Sequence, residues 1–225
     1  HIPDDEIDGR AYTLPAYQIG RYPVTYDEYQ GFVQAQNHKP PRWDWDEDRY
    51  SPGLGNHPVT YVSWHDAQAY VAWLNQQNDG YRYFLPSEAQ WERAARGPAQ
   101  GEGQENRRIY PWGYDYQTGN DMDKANVDET GLDRTTPVGC FPAGASPEGV
   151  LDMAGNVWEW CSDAYGGNYY QQGSIEVNEK GENRVRRGGA FDGPFGDARC
   201  AQRSYYHPDF DSRLIGFRVA RIHHP

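Results

Sequence analysis

The three cysteines, Cys140, Cys161 and Cys200, are the side chains with the clearest capacity for redox or metal chemistry. They are odd in number, widely spaced, and include no C-x-x-C pair. A disulfide framework is therefore not expected, although a single bridge stays open. Sparse, unpaired thiols favour a reducing compartment, and with it a cytoplasmic location.

The histidines and hydroxyls offer no recognisable catalytic set. None of the seven histidines forms an H-x-x-x-H pair on a predicted helix, and His223 and His224 lie at the end of the chain. We expect them to be solvent-exposed. No serine occupies a G-x-S-x-G elbow, and the acidic pairs are too numerous to single one out. Hydrolysis therefore finds no support in the sequence.

The segment from Ala190 to Ile215 has the most distinctive composition, with aromatic, glycine, proline and short polar residues in no regular period. Loops of this length in a compact domain are usually functional or disordered. Aromatic rings supply contact area at low entropic cost, and short polar residues supply adaptable hydrogen bonds. The segment therefore indicates a surface that binds a ligand.

Composition indicates how such a segment would be held. The chain has 225 residues, which suits one domain over 1–225, and 15% are aromatic, including 8 Trp and 18 Tyr. A core of rings is expected, with Trp N–H and Tyr O–H groups bonded at its edges. The 25 Gly and 16 Pro predict many turns and little regular secondary structure.

The charge and hydropathy of the chain argue against two classes of binding partner. The formal net charge is −12, and no basic surface is visible beyond Arg184–Arg187, which we interpret as a strand before Gly188 and Gly189. Nucleic acid is therefore not an expected partner. No apolar stretch is long enough to span a bilayer and no signal-peptide pattern opens the chain, so a membrane is not expected either. Because the first residue is His1 rather than Met, we expect the domain to be part of a larger polypeptide.

The sequence predicts three helix N-termini. Thr25 to Glu28 forms a capping box, and that helix should run to about Gln36 with Tyr29, Phe32 and Val33 inward. The second helix follows its cap Ser63 to about Gln77, with an apolar face formed by Ala69, Tyr70, Trp73 and Leu74.

The third helix starts at Ser87, with Gln90 completing its capping box, and ends near Arg96. Gly97 suits the left-handed position after it. Two terminal strands are expected, over Arg184–Arg187 and Gly216–Ile222.

Seven sequence blocks then resemble, in the right order, the formylglycine-generating-enzyme (sulfatase-modifying-factor) family. They are Tyr22-Pro23-Val24-Thr25, His57-Pro58-Val59 with Val62-Ser63-Trp64, Leu85 to Glu92, Tyr110-Pro111-Trp112-Gly113, Gly155 to Trp160, Arg187-Gly188-Gly189 and Gly216-Phe217-Arg218. The resemblance implies an α+β, C-type-lectin-like fold, with two to three helices packed on small twisted antiparallel sheets.

The resemblance also indicates that the copper-binding cysteines of the family are missing from this chain. The family's enzymes bind copper with a cysteine shortly after the Gly-Gly strand and a second a few residues on, because thiolates suit Cu(I). Here Gly193 stands where the first would be, and the second is absent. No copper is expected, and the chain is predicted to be non-catalytic. A related branch holds iron with three histidines on an additional helical domain, which this sequence lacks.

Calcium is the cofactor that the resemblance does imply. One structural site would use the carboxylates of Asp152 and Glu159 with the carbonyls of Gly155 and Val157, a mixture suited to Ca²⁺. Asn156 would instead satisfy nearby backbone groups.

A second calcium site would begin at Asn126 and the Val127 carbonyl, with Asp128 or Asp133 as its remaining carboxylate.

The chain most resembles the variable proteins of diversity-generating retroelements, whose diversified segment lies between an Arg-Gly-Gly strand and a Gly-Phe-Arg strand. Their randomised codons cannot encode Lys, Glu, Gln, Trp or Met, and only Gln202 of these types occurs in 190–215. The resemblance implies a prokaryotic receptor-type domain that binds an unknown protein or small molecule. The displayed set would be Phe191, Asp192, Pro194, Phe195, Asp197, Ser204, Tyr205, Tyr206, His207, Phe210, Asp211, Ser212, Arg213 and Leu214.

Two alternatives remain. The domain could be an interaction domain of a larger signalling or defence protein with an ordinary loop, or an oxidoreductase that uses a metal held elsewhere.

Overall fold

Three helices open with side-chain caps in the computed structural model, which describes residues 13–98, 108–114, 121–166 and 181–224. Helix α1 spans Tyr26–Gln36, α2 spans Trp64–Gln76 and α3 spans Glu88–Arg96. Each begins with a complete capping box, in which the cap hydroxyl and the third helical residue satisfy each other's backbone N–H groups. The three predicted helices are confirmed to within a residue or two at each end.

The helices bury the predicted faces. Tyr29, Phe32 and Val33 of α1 are buried, and α2 buries Tyr70 with Trp73 packed partly against the core. One detail was wrong: Gly97 has φ 78° and ψ −175°, which is not the left-handed helical conformation. Glycine is still required there, because a Cβ would lie 2.6 Å from Cγ of Pro147.

Within the described ranges, nine short strands make three sheets. Strands β1 to β9 span Gln18–Ile19, Trp45–Asp46, Arg49–Tyr50, Tyr81–Phe84, Trp158–Ala164, Arg184–Arg187, Arg203–Tyr206, Ile215–Phe217 and Ala220–His223. Their orders are β1-β9-β4, β2-β3 and β7-β6-β5-β8. The predicted small antiparallel sheets are confirmed, with one addition: β5 and β8 run parallel.

The predicted terminal strand over 216–222 is in fact two strands in two sheets. Strand β8 pairs with β5, whereas β9 pairs with β1 and β4. Arg218 lies between them and is fully buried. The end of the chain therefore joins the four-stranded sheet to the three-stranded one.

Rings dominate the core, as composition predicted. Tyr29 stacks on Tyr70 at 5.8 Å, and both meet Phe217 edge-on. Trp160 donates to the Val62 carbonyl oxygen at 3.0 Å. The largest core cluster thus joins α1 and α2 to the four-stranded sheet.

A buried ion-pair network fixes β6 against α3. Arg187 is fully buried and donates to Glu88 at 2.9 Å and to Glu92 at 2.6 Å. Arg203 of β7 donates to the same Glu88 carboxylate at 2.6 and 2.8 Å. Strands β6 and β7 are thereby held rigidly on their inner face, which leaves the outer face available.

No helix within the described ranges is both long and apolar enough to cross a bilayer.

Candidate ligand-binding site

Strand β6 presents two arginines on one face. Val185 and Arg187 are buried, whereas Arg184 and Arg186 are half-buried, as the alternation of a strand requires. On β7 the register places Tyr206 opposite Arg184 and Ser204 opposite Arg186. The outer face of the β6–β7 pair is therefore cationic and aromatic, and it borders the segment 190–215.

Arg186 lies between two rings. Its guanidinium carbon is 4.5 Å from the ring centroid of Trp158 and 4.4 Å from that of Tyr206. The Tyr206 ring in turn stacks on Phe210, with centroids 4.1 Å apart and 15° between the planes. Each cation–π contact contributes about 0.5–2 kcal/mol. We call Trp158, Arg186, Tyr206 and Phe210 together the Arg186 ladder.

Among the described residues, the positive charge of the ladder has no ion-pair partner. Burial lowers the pKa of Arg186 to about 10, while Tyr206, Asp197 and Asp192 oppose that shift. Its Nε donates to Ser204 Oγ at 3.1 Å. Within the part of the chain that the structure describes, Nη1 and Nη2 of Arg186 donate to no acceptor.

Asp197 carries the matching negative charge. Among the described residues its carboxylate makes no hydrogen bond or ion pair, unlike that of Asp192, which lies 3.5 Å from Arg213 Nη2. A Cβ built on Gly193 would lie 3.4 Å from Asp197 Oδ2. An unpaired carboxylate therefore borders Gly193, the position at which the sequence resemblance implies a cysteine.

The predicted displayed set divides into two groups. Tyr205, Tyr206 and Phe210 are 46%, 39% and 38% exposed, so these rings face solvent as predicted. The polar members, together with Pro194 and Leu214, are exposed or half-buried: Asp192, Asp197, Ser204, His207, Asp211, Ser212 and Arg213.

Phe191 and Phe195 are corrections, because each is only 2% exposed. Phe195 meets Tyr110 and Trp112 edge-on in an inner cluster. A short 3-10 turn over Phe195–Ala198 folds this part of the segment inward, and the Glu129 carboxylate accepts from the Phe195 N–H at 3.1 Å. The prediction that these two rings point outward was wrong.

The sequence interpretation missed Arg186 and Trp158 as members of the site. The signal was present in the alternation of Arg184–Arg187, where the apolar Val185 separates two side chains that must share a face. The run was interpreted only as a strand, and its outward arginines were not carried into the candidate set.

The cysteines do not add a reactive centre to this surface. Cys140 is exposed, whereas Cys161 and Cys200 are buried. Burial, reinforced by nearby carboxylates, raises the pKa of Cys161 well above its ordinary value. Within the described ranges, no three His, Cys, Asp or Glu side chains converge as metal ligands would.

The first candidate calcium site has its oxygens engaged by protein donors. Glu159 accepts from Arg218 Nε and Nη2 at 2.6 Å each and from Trp91 at 2.7 Å, and Asp152 accepts from the Gly139 N–H at 2.7 Å. The two carbonyls of the site come from buried residues, and that of Gly155 accepts from the Val157 N–H at 3.0 Å.

The oxygens of the second candidate calcium site are likewise engaged by protein donors. Val127 O accepts from both the N–H and the hydroxyl of Thr130, at 3.0 and 2.7 Å. Asn126 donates to Arg134 O, and Asp133 lies 3.8 Å from Arg213. As arranged, neither set is ready to hold an ion, and calcium stays a prediction.

The pH dependence of stability at Asp152 tests whether calcium binds at the first candidate site. Burial raises its pKa from 3.8 to about 6, so the folded state binds its proton more tightly than the unfolded state does. Stability therefore falls as the pH rises from about 4 to about 6, by up to about 3 kcal/mol. We expect Asp152→Asn to raise the unfolding temperature at neutral pH and to leave it nearly unchanged near pH 4.

Thermal unfolding at both pH values measures this, with and without calcium. A bound calcium ion would reverse the neutral-pH result, because it would stabilise the ionised carboxylate that the variant lacks.

Comparison with known proteins places this site in a family context. The profile of the Sulfatase-modifying factor enzyme 1-like domain matches residues 3–223. The formylglycine-generating enzyme of Streptomyces coelicolor is 37% identical over 75% of this chain and 54% of its own length. The hercynine oxygenase of Mycolicibacterium smegmatis is 31% identical over 98% and 56%.

The serine/threonine-protein kinase Pkn1 of Chlamydia trachomatis serovar L2 is 32% identical over 96% of this chain and 35% of its own length. In that protein a similar domain is part of a larger polypeptide. The chain spans about a third to just over half of these curated relatives.

Two solved structures share the fold. PvdO from Pseudomonas aeruginosa is 30% identical, with a TM-score of 0.75 and coverage of 97% of this chain and 88% of its own. Treponema denticola variable protein 1 is 21% identical, with a TM-score of 0.68 and coverage of 95% and 86%. The α+β, C-type-lectin-like architecture of the formylglycine-generating-enzyme type is thereby confirmed.

Proposed function

The chain belongs to the sulfatase-modifying factor enzyme 1-like family, and we propose that it is a non-catalytic ligand-binding domain, since the sequence resemblance implies that Gly193 replaces the first copper-binding cysteine. The observation that carries the proposal is the Arg186 ladder. A half-buried cation between rings, with free donors beside exposed aromatic groups, costs folding stability unless a partner uses it.

The backbone under this surface supports a recognition role. Tyr61 N–H donates to Ser212 O at 2.9 Å, and Trp64 N–H donates to Pro208 O at 3.0 Å. These two bonds fasten the segment to the start of α2 through main-chain groups. The displayed side chains can therefore change without loss of these two bonds, although Asp211 also accepts from Arg42 at 3.2 Å.

The finer proposal is that the surface is diversified, as in the variable proteins of retroelements. It is supported by the position of the exposed rings between the Arg-Gly-Gly and Gly-Phe-Arg strands and by the residue types of the segment. We expect a near-copy of the codons for residues 184–220 beside a reverse-transcriptase gene, differing at adenines.

Deep sequencing of the gene across a host population tests this directly. Substitutions should fall on exposed positions such as Tyr205, Tyr206 and Phe210, and should spare the codons of the buried Phe191 and Phe195. A locus with no second copy, and no excess variation at the exposed codons, would refute diversification.

An oxidoreductase role is the second candidate, favoured by the formylglycine-generating enzyme and hercynine oxygenase relatives. Copper or iron retained in stoichiometric amount after purification, with oxygen uptake on a thiol substrate, would support it. Purified protein that carries neither metal and consumes no oxygen would support the binding role instead.

The domain would act within a longer protein. The chain covers only part of each curated relative, and Pkn1 joins a similar domain to other sequence. We therefore propose that it supplies recognition to a signalling or defence polypeptide, for a protein or small-molecule partner.

A further inference from the structure

Among the described residues, the contacts of Arg186 leave the outer edge of its guanidinium open. The rings of Trp158 and Tyr206 lie 4.5 and 4.4 Å from the guanidinium carbon, and Ser204 accepts from its Nε. The remaining Nη1 and Nη2 groups lie in the guanidinium plane and have no acceptor among the described residues. A planar group with two oxygens, bound edge-on by parallel hydrogen bonds, fits this geometry best. A carboxylate is such a group.

Ser204 adds a further donor beside it. Its Oγ accepts from Arg186 Nε at 3.1 Å, which leaves its own O–H free to donate. A carboxylate held by Arg186 could accept from this hydroxyl as well.

The surroundings argue against a polyanion. Asp197 and Asp192 lie close enough to Arg186 to influence its charge state, and the chain as a whole carries a net charge of −12. A phosphate chain or a nucleic acid would be repelled by these carboxylates. A ligand with one negative group and one positive group would be attracted at both ends.

Asp197 is the group that would receive the positive end. Asp192 already has Arg213 at 3.5 Å, whereas the Asp197 carboxylate has no cationic partner in the described structure. Among the described residues, Arg186 and Asp197 are thus a cation and an anion without ion-pair partners, and Asp197 is near enough to act on the charge of Arg186. The exposed ring of Phe210, stacked on Tyr206, extends the site with an apolar platform.

We infer that this surface binds a small zwitterion of the α-amino-acid type with a flat apolar side chain. Its carboxylate lies on the Nη groups of Arg186, its ammonium lies on Asp197, and its side chain packs on the Tyr206–Phe210 stack. The inference rests on the proposed function, since it names the ligand class of that same site.

Isothermal titration calorimetry with matched probes tests it on the complete chain. The probes are L-phenylalanine, L-phenylalaninamide, which lacks the carboxylate, and N-acetyl-L-phenylalanine, which lacks the ammonium. We expect L-phenylalanine to bind at least about tenfold more tightly than either analogue, because each analogue leaves one protein charge unpaired.

Two variants assign the charges. Asp197→Asn should bind L-phenylalanine and its N-acetyl form equally, and Arg186→Gln should bind L-phenylalanine and its amide equally. Arg82→Gln, which changes an exposed arginine on β4, is the control and should keep the wild-type order. Unfolding temperatures measured in parallel establish that each variant is folded.

Several results would overturn the inference. These are wild-type protein that binds none of the probes, equal binding of the zwitterion and its analogues, or variants that weaken all three probes alike. The proposed function would survive them, because the population sequencing tests it without any assumption about the ligand.

Discussion

Replacing Arg218 by methionine is expected to lower the free energy of unfolding by about 3–5 kcal/mol, because the change leaves a buried carboxylate without its partner. Arg218 and Glu159 are both fully buried and joined by two hydrogen bonds of 2.6 Å. Arg218 also donates to the carbonyls of Gly20 and Leu151, at 2.9 and 3.0 Å. The Arg218 side chain thus connects the three-stranded and four-stranded sheets with the loop before β5.

Urea denaturation with linear extrapolation measures the loss. The double variant Arg218→Met with Glu159→Gln should recover part of it, since no buried charge is then left alone. If Glu159 served mainly as a calcium ligand, the outcome would differ. Chelation would then destabilise the wild type strongly, and Arg218→Met alone would cost little.

Phe195→Ala is expected to cost about 3–5 kcal/mol, as for other buried phenylalanines. The ring packs against Tyr110 and Trp112, and truncation leaves a cavity between them. Phe210→Ala is the matched control, because it removes the same ring from an exposed position of the same segment. It should cost less than about 1 kcal/mol.

Urea denaturation of both variants distinguishes the two environments. Equal losses would show that the segment does not divide into an inner and an outer part. The assignment of Phe195 to the core and of Phe210 to the ligand-facing surface would then be wrong.

Local signals predicted the helices well. The cap and the third helical residue are close in sequence, so Thr25 with Glu28 and Ser87 with Gln90 could be found without knowledge of the fold. The Gly188–Gly189 pair is a further local signal, since a Cβ on Gly189 would lie 2.9 Å from the Asp197 carbonyl oxygen.

Tertiary contacts determine two features that local sequence patterns did not predict. The run 216–222 has the composition of one strand, and only the buried contacts of Arg218 show why it divides between two sheets. Phe195 and Phe210 are the same residue type in one irregular segment. Their opposite environments depend on the turn over Phe195–Ala198, for which no periodic pattern exists.

Sequence reasoning included part of the candidate surface but not Arg186 at its centre. Composition located the exposed rings of Tyr206 and Phe210, whereas Arg186 enters through a strand register that pairs it with Ser204. Its position between Trp158 and Tyr206 depends on contacts among three separate parts of the chain.

The central claim is that these exposed rings serve recognition rather than folding. Urea denaturation of the triple variant Tyr205→Thr, Tyr206→Thr and Phe210→Ser tests it most directly. We predict that the free energy of unfolding falls by less than about 2 kcal/mol in total, because contacts between solvent-exposed rings contribute little to stability. A loss as large as that of Phe195→Ala would show that the rings hold the fold together, and would contradict the claim.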